Sequence, residues 1–355
     1  MKVYVYMGAK KIIEKSGVGR AIDHQIALLK EQGVEVNTCT MKDADIVHIN
    51  TIFPDSVVAA LRAKAMGKKV IWYGHSTMED FKNSFVGSNL FAPIFKKWIT
   101  FCYGLGDVII TPTPYSRTIL KSYGIKKPIV DLSNGIDTGF WKPSEEGRRR
   151  FREKYNIPEG KKVVVSVGHY IGRKGLIDFV DLARSMTDVQ FMWFGYTDER
   201  LVTANIKRAM KTAPMNVVFP GYVDKEELRE VYQGADAFCF MSHEETEGIV
   251  VLEALACGTP TIVRNIPVYD GWLEDNKNVF KCDDMHQFWN NLNAVLKGKA
   301  MNLQSEGYRI VAERDFNSIG KRLVEIYHDY FTNKIVENAT ITAIGGNRAN
   351  ENTCC

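Results

Sequence analysis

No Cys-x-x-Cys pair occurs in this chain. Its seven cysteines stand at 39, 102, 239, 257, 282, 354 and 355, so zinc-ribbon and thioredoxin chemistry have no starting point. Cys102, Cys239 and Cys257 lie in apolar segments and read as small core residues. No run of about 18 apolar residues is present, which argues against a membrane-spanning helix. Neither sign of charge dominates: 46 Lys and Arg stand against 42 Asp and Glu. No compact Arg-rich stripe marks a nucleic-acid surface, and nucleic acid is not an expected partner. The dinucleotide fingerprint G-x-G-x-x-G fails because Ile22 holds the third glycine position, and no Gly-Lys-Ser/Thr completes a P-loop. Asp43-Ala44-Asp45 has metal-motif spacing but precedes a strand instead of ending one, so no metal is expected. Met1–Tyr6 reads as a strand without a signal-peptide cleavage pattern, and the expectation is a cytoplasmic protein.

What is present is an ordinary globular composition spread over 355 residues, 45% hydrophobic and 25% charged. That length suits two domains better than one core. Charge is uneven. Residues 1–142 carry 19 Lys and Arg against 12 Asp and Glu, while the remainder is net acidic. A basic first half suggests an anionic partner, and an anionic membrane surface fits the aromatic residues described below.

Short β-rich runs alternate with helical periodicity along the chain. Strands are expected at Val3–Met7, Ile46–Ile49, Lys69–Tyr73, Val108–Thr111 and Ile129–Leu132, with helices between them. A charged segment, Ser144–Glu153, reads as a domain boundary. The pattern then restarts at Lys162–Val167, Gln190–Phe194, Asn216–Phe219, Ala237–Phe240 and Thr261–Arg264. Strict β/α alternation predicts an α/β protein, two Rossmann-like domains with parallel sheets. Ligands of such sheets sit at the carboxyl ends of the strands, here in a cleft between the domains. Residues 332–355 read as a disordered tail.

Five segments could carry chemistry. In Glu244–Thr261, Glu245 and Glu253 stand eight residues apart on either side of a helix start marked by Gly248, Ile249 and Val250. Free amides and the positive dipole end there suit a phosphate, and a carboxylate on each side suits two sets of sugar hydroxyls. The plain alternative is a surface helix with ordinary glutamates. In Ser16–Arg20, Gly17 and Gly19 let backbone approach a ligand at another helix start, or form a simple turn. In Gly172–Gly175, Arg173 and Lys174 offer a fork and a point charge to a diphosphate, or form a solvated basic loop. His75 follows a strand at the cleft side and could hydrogen-bond a sugar hydroxyl. Finally, Phe81–Tyr103 interleaves Phe91, Phe95 and Trp98 with Lys96 and Lys97. Such a helix settles in a membrane interface, or packs its aromatic face inside the first domain.

These segments together resemble glycosyltransferase family 4, retaining enzymes of the GT-B fold, over residues 1 to about 331. The Glu-x7-Glu signature falls on Glu245 and Glu253, the paired cations on Arg173 and Lys174, the glycine loop on Gly17–Gly19, and Asn134-Gly135-Ile136-Asp137 looks like the family's linker segment. The resemblance is narrower still to the family's lipid-glycosylating branch, the diglycosyl-diacylglycerol synthases. It implies domains at 1–142 and 143–315, with a C-terminal helix at about 316–331 completing the first. It implies a UDP-hexose donor, with galactose the expected sugar, and an α-glucosyl-diacylglycerol acceptor at the cytoplasmic face of the membrane, where the enzyme binds peripherally. Catalytic roles then fall to His75, Arg173, Lys174 and Glu245. Donor contacts fall to Gly17, Gly19, Arg173, Lys174, Gly248–Val250 and Glu253, with no metal or other cofactor. Phe91, Phe95, Lys96, Lys97 and Trp98 face the acceptor and membrane. The family's usual Gly-Phe after the first glutamate is Thr246-Glu247 here, which alters the expected wall near the donor hexose. A UDP-glucose-dependent glycolipid synthase, a polysaccharide transferase with a soluble acceptor, and a non-catalytic nucleotide-sugar-binding protein remain open.

Overall fold

The computed structural model describes residues 1–8, 13, 14 and 16–332. Lys15 and the expected tail beyond Thr332 lie outside the described residues. Six strands form the first sheet: β1 (Lys2–Val5), β2 (Glu35–Asn37), β3 (Ile46–Ile49), β4 (Lys69–Tyr73), β5 (Val108–Thr111) and β6 (Ile129–Asp131). Six more form the second: β7 (Val163–Val167), β8 (Gln190–Phe194), β9 (Val217–Gly221), β10 (Ala237–Phe240), β11 (Thr261–Arg264) and β12 (Phe280–Cys282). The strand orders are β2-β1-β3-β4-β5-β6 and β12-β11-β10-β7-β8-β9, and every pairing is parallel.

Parallel strands need crossover helices, which cover both faces of each sheet. In the first half these are α1 (Gly17–Glu31), α2 (Pro54–Ala65), the single-turn α3 (Met78–Phe81), α4 (Ser88–Gly104) and α5 (Pro114–Ser122). The second half carries α6 (Glu145–Lys154), α7 (Leu176–Arg184), α8 (Ala204–Lys211), α9 (Lys225–Gly234), α10 (Ile249–Ala256), α11 (Met285–Leu296) and α12 (Gln304–Ala312). With both faces covered, the central strands are apolar throughout: Val163, Val164 and Val165 are all fully buried, as are Ile109 and Ile110. Each such side chain contributes about 1.5–3 kcal/mol by leaving water.

A last helix, α13 (Phe316–Tyr327), returns to the first half. Phe316, Ile319, Leu323 and Ile326 join Val3, Val5, Ile22 and Leu28 in one core cluster. The chain therefore crosses between the halves twice, once near Asn134–Asp137 and once near Arg314. The two crossings touch: Ile136 N donates to Arg314 O at 2.9 Å, and Phe316 N donates to Ile136 O at 3.2 Å.

The expected elements differ from the observed ones in places that have physical reasons. Ser144–Glu153, read as a boundary, is helix α6, capped by Ser144. Only Gly147 and Phe151 of it are buried, too few to show a period among the charges; ion pairs from Arg148 to Asp236 and from Arg150 to Glu230 tie it down. The helix after β10 starts at Ile249, because Gly248 takes φ +87°, a left-handed cap that leaves Glu247 outside the helix. The edge strands β2 and β12 are not among the expected strands, because Glu35–Asn37 and Phe280–Cys282 lack the Ile-Val run that marks the equally short β6.

Candidate active site

The carboxyl ends of the two sheets meet across a cleft, and each candidate segment hangs from one of them. After β10, the chain runs through Met241 and Ser242 into the loop 243–248 and then α10. Ser242 Oγ donates to Glu245 Oε1 at 2.6 Å. After β7, a turn of tighter helix holds Arg173 and Lys174. Gly175 closes that turn at φ +77°, where a Cβ would stand 2.2 Å from Met241 O. This close approach of two loops places Lys174 Nζ on Glu245 Oε1 as an ion pair, and Arg173 Nη1 lies 3.7 Å from the same oxygen. Burial pushes the Glu245 carboxyl up, but Lys174 and Arg173 outweigh it and hold it below the usual range. Burial also pulls the Lys174 ammonium down, against the opposing pull of Glu245.

The start of α10 lies beside this group. Gly248 offers no side-chain cap, so the amides at Ile249 and Val250 are not taken by one. A Cβ on Gly248 would sit 3.2 Å from the Tyr269 hydroxyl. That hydroxyl is buried and has no hydrogen-bond partner among the described residues. An uncapped helix start beside an orphaned donor is an arrangement for an anionic oxygen. Nothing in the sequence marks Tyr269 as a site residue, because an isolated tyrosine carries no spacing signal.

Glu253 lies in the second turn of α10, 0% exposed. Its Oε2 accepts from the Tyr232 hydroxyl at 3.0 Å. Its Oε1 is paired with Arg20, which comes from α1 of the other half, one residue beyond the glycine segment. Burial would depress the Arg20 guanidinium, but Glu253 outweighs it and raises it. Gly19 stands where a Cβ would meet Ile13 O at 2.5 Å. At Gly17 a Cβ would meet nothing, so only the second glycine is demanded by packing.

His75 is 8% exposed and neutral, since burial pushes its pKa down to about 4. Its Nε2 lies 2.9 Å from Asn50 Oδ1, and Asn50 exchanges hydrogen bonds with Gln25 at 2.6 and 3.0 Å. A neutral imidazole suits hydroxyl recognition better than charge stabilisation.

Further polar contacts span the cleft. Thr113 Oγ1 and Ser116 Oγ both donate to Thr246 O at 2.9 Å. Glu247 is buried and accepts from Ser133 Oγ, Asn134 N and Asn134 Nδ2. It thus fastens the loop to the linker segment. Arg173 Nη1 donates to Glu244 O at 2.6 Å and pairs with Asp80 Oδ1 at 2.8 Å, while its Nε reaches Ser84 Oγ at 3.2 Å.

The aromatic helix α4 is split by its packing. Phe95 stacks on Phe81 with ring centroids 4.1 Å apart. The Trp98 indole donates to Ile52 O at 2.7 Å. Both belong to the inward side, and Lys96 lies over the Tyr123 ring. The outward stripe is Leu90, Phe91, Ile94, Lys97 and Phe101, with Leu90 77% and Ile94 65% exposed. Of the five residues expected to face a membrane, only Phe91 and Lys97 are exposed. The aliphatic members were missed because they are less conspicuous than Trp and Phe, though their i, i+4 spacing is visible in the sequence.

Among the described residues, no cluster of three His, Cys, Asp or Glu side chains could hold a metal ion. No described helix is long and apolar enough to cross a membrane.

Residues 40–140 match the family described as Glycosyltransferase Family 4, and residues 147–309 match glycosyl transferases group 1. A processive diacylglycerol alpha-glucosyltransferase from Acholeplasma laidlawii is 39% identical over 332 residues, covering 93% of this chain and 98% of that one. The chain is a family 4 glycosyltransferase. The glycosyltransferase is also 28% identical over 239 residues to an alpha-galactosylglucosyldiacylglycerol synthase of Streptococcus pneumoniae, covering 66% of this chain and 64% of the other. Its fold matches that of Anabaena HepE, crystallised with UDP-glucose, at TM-score 0.71 and 16% identity, over 93% of this chain and all of the other. The two facing sheets are the GT-B arrangement, and the enzyme is a hexosyltransferase.

One carboxyl in the transferase's cleft titrates in an accessible range. Burial pushes Glu244 up to about 7, against the hydrogen bond from the Tyr115 hydroxyl at 3.0 Å. Asp80, Arg173 and Glu245 face it as well. Between its ordinary value of 4.5 and about 7, the folded protein keeps a proton that the unfolded chain has released. The stability this adds is present below the lower value and lost as pH rises through the upper one. Glu244→Gln cannot ionise. The melting temperature of wild type minus that of the variant is therefore expected to decline across this window; a flat difference would show an ordinary carboxylate.

Proposed function

We propose that this enzyme transfers glucose from UDP-glucose onto a diacylglycerol-based lipid at the cytoplasmic face of a membrane, to which it binds peripherally, with retention at the anomeric carbon. The observation that carries the reading is the continuity of two features. The segment 80–84 that touches Arg173 leads within a few residues into α4, whose outward stripe is apolar and carries Lys97. A lipid headgroup at that surface would stand beside the paired cations. The full-length likeness to a processive diacylglycerol glucosyltransferase supports the same acceptor and favours glucose.

In this scheme the diphosphate lies against Arg173, Lys174 and the uncapped start of α10. These groups stabilise the charge that grows on it as the glycosidic bond breaks. Glu253 takes the ribose hydroxyls in place of Arg20, and Glu245 and His75 orient the hexose. The acceptor hydroxyl attacks from the face the diphosphate leaves, and a phosphate oxygen takes its proton. The scheme uses no metal ion.

A second reading keeps the site and changes the sugar: galactose moved onto α-glucosyl-diacylglycerol. The pneumococcal relative and the sequence resemblance favour it. Purified enzyme with anionic vesicles containing diacylglycerol or α-glucosyl-diacylglycerol, given UDP-glucose or UDP-galactose separately, decides between them. Glucosylated lipid is the expected product. Galactose transfer alone would establish the second reading, and UDP binding without a lipid product would overturn both.

A further inference from the structure

Asp80 occupies a place that the scheme above leaves without a role. It lies in the single-turn helix α3, which is capped by the Thr77 side chain accepting from Asp80 N at 3.0 Å. Its carboxylate reaches across the cleft to Arg173 Nη1 at 2.8 Å. The same short segment supplies Asn83 O to the Arg173 amide at 3.1 Å and Ser84 Oγ to its Nε. The guanidinium that the scheme gives to a diphosphate is thus engaged by the half that faces the acceptor.

Charge decides what happens when a donor enters. Arg173 and Lys174 are balanced by Asp80 and Glu245, so the group is close to neutral. A nucleoside diphosphate ester adds about two negative charges. Four negatives against two positives in a buried cleft is costly, and one carboxylate must leave the cations. Glu245 is the deeper of the two and is held by both Lys174 and Ser242. The Asp80 side chain is 24% exposed and stands on one turn of helix, so Asp80 is the one that yields.

We propose that Asp80 is an acceptor-sugar residue, paired with Arg173 until a diphosphate takes that guanidinium and released by it, so that its carboxylate accepts hydrogen bonds from adjacent hydroxyls of a hexose already on the lipid. The inference rests on the lipid-acceptor reading for the place of the sugar. An ionised carboxylate has two oxygens that only accept, which matches a vicinal diol and offers much less to the single hydroxyl of a bare diacylglycerol. Asp80 lies between the donor cations and the start of the apolar stripe on α4, where a headgroup would pass. It would therefore favour the second of two successive transfers.

The test is a ratio. At saturating UDP-glucose, kcat/KM is measured for vesicle-borne α-glucosyl-diacylglycerol and for diacylglycerol. Asp80→Asn is expected to lower the ratio of the first to the second by roughly 10- to 100-fold, the size of a lost hydrogen bond to a charged group. Asp80→Glu should recover part of it. Ser84→Ala, which loosens Arg173 without touching the carboxylate, should move both acceptors together. An unchanged ratio in Asp80→Asn, or an equal fall for both lipids, would overturn the proposal and leave Asp80 as a support for Arg173. A second measurement needs no variant: methyl α-glucoside, titrated calorimetrically into wild type, should bind with UDP present and not without it. Equal binding in both conditions would overturn the release of Asp80. If wild type used neither lipid but still bound the glucoside only with UDP, the lipid reading would fail while Asp80 kept its role.

Discussion

Lys174→Ala is expected to lower turnover by roughly two to four orders of magnitude, with a smaller change in the apparent affinity for the nucleotide sugar. The ammonium stands in a buried cleft, where a fixed positive charge aimed at a developing negative one is worth far more than in water, and losing one such group costs on the order of 100- to 1,000-fold or more. Arg173 alone cannot replace it, because its Nη1 and Nε also donate to Glu244 O and Ser84 Oγ, which hold the guanidinium in its own place. Removing Lys174 also leaves Glu245 buried with Ser242 and the more distant Arg173 as its support, so a loss of stability accompanies the loss of rate. The two effects separate in Lys174→Ala with Glu245→Gln. Neutralising the orphaned carboxylate should restore much of the melting temperature and none of the turnover. Single-turnover kinetics at saturating donor provide the rate, and near-normal turnover in Lys174→Ala would remove the ammonium from the chemistry.

Part of this site could be read from the sequence because each piece follows its own strand. Arg173 and Lys174 come after β7, and Glu245 comes after β10, its neighbour in the sheet. In a parallel sheet, both must emerge at the same edge. Contacts made by the other half left no such trace. Arg20 reaches Glu253 across 233 residues of sequence, and Glu247 fastens to Ser133 and Asn134 across more than a hundred. No local period announces either. The Thr246-Glu247 departure from the family pattern is visible in the sequence, yet its direction is set by which loop lies opposite. The same limit applies to α4. Its apolar residues lie on more than one side, so periodicity alone does not say which side meets the sheet. The deciding detail is that a half-buried indole needs an acceptor for its N–H, and Trp98 finds one at Ile52 O.

Replacing Leu90, Ile94 and Phe101 together by serine is expected to weaken binding to anionic vesicles by about two orders of magnitude. These residues stand exposed along one side of α4, so their removal deletes surface without opening a cavity. An apolar side chain entering a bilayer interface contributes on the order of 1 kcal/mol when only part of it leaves water, and three give about 3 kcal/mol. Lys97→Gln should add about 1 kcal/mol to the loss, and only on vesicles with anionic lipid. The contrast lies on the other side of the same helix. Phe95→Ala and Trp98→Ala remove rings that pack on Phe81 and on the buried cluster that includes Ile49, Trp72 and Tyr103. These variants should lower the melting temperature, a cavity cost of about 2–4 kcal/mol for half-buried rings, while vesicle affinity of the folded fraction stays near wild type. Sedimentation with vesicles and thermal melts of the same samples separate the two sides. If the triple variant binds like wild type while Phe95→Ala or Trp98→Ala does not, the membrane face is the aromatic one after all. If it loses vesicle binding, lipid transfer should fall in proportion, while UDP affinity measured without vesicles should not change, because no residue of the stripe contacts the paired cations or α10.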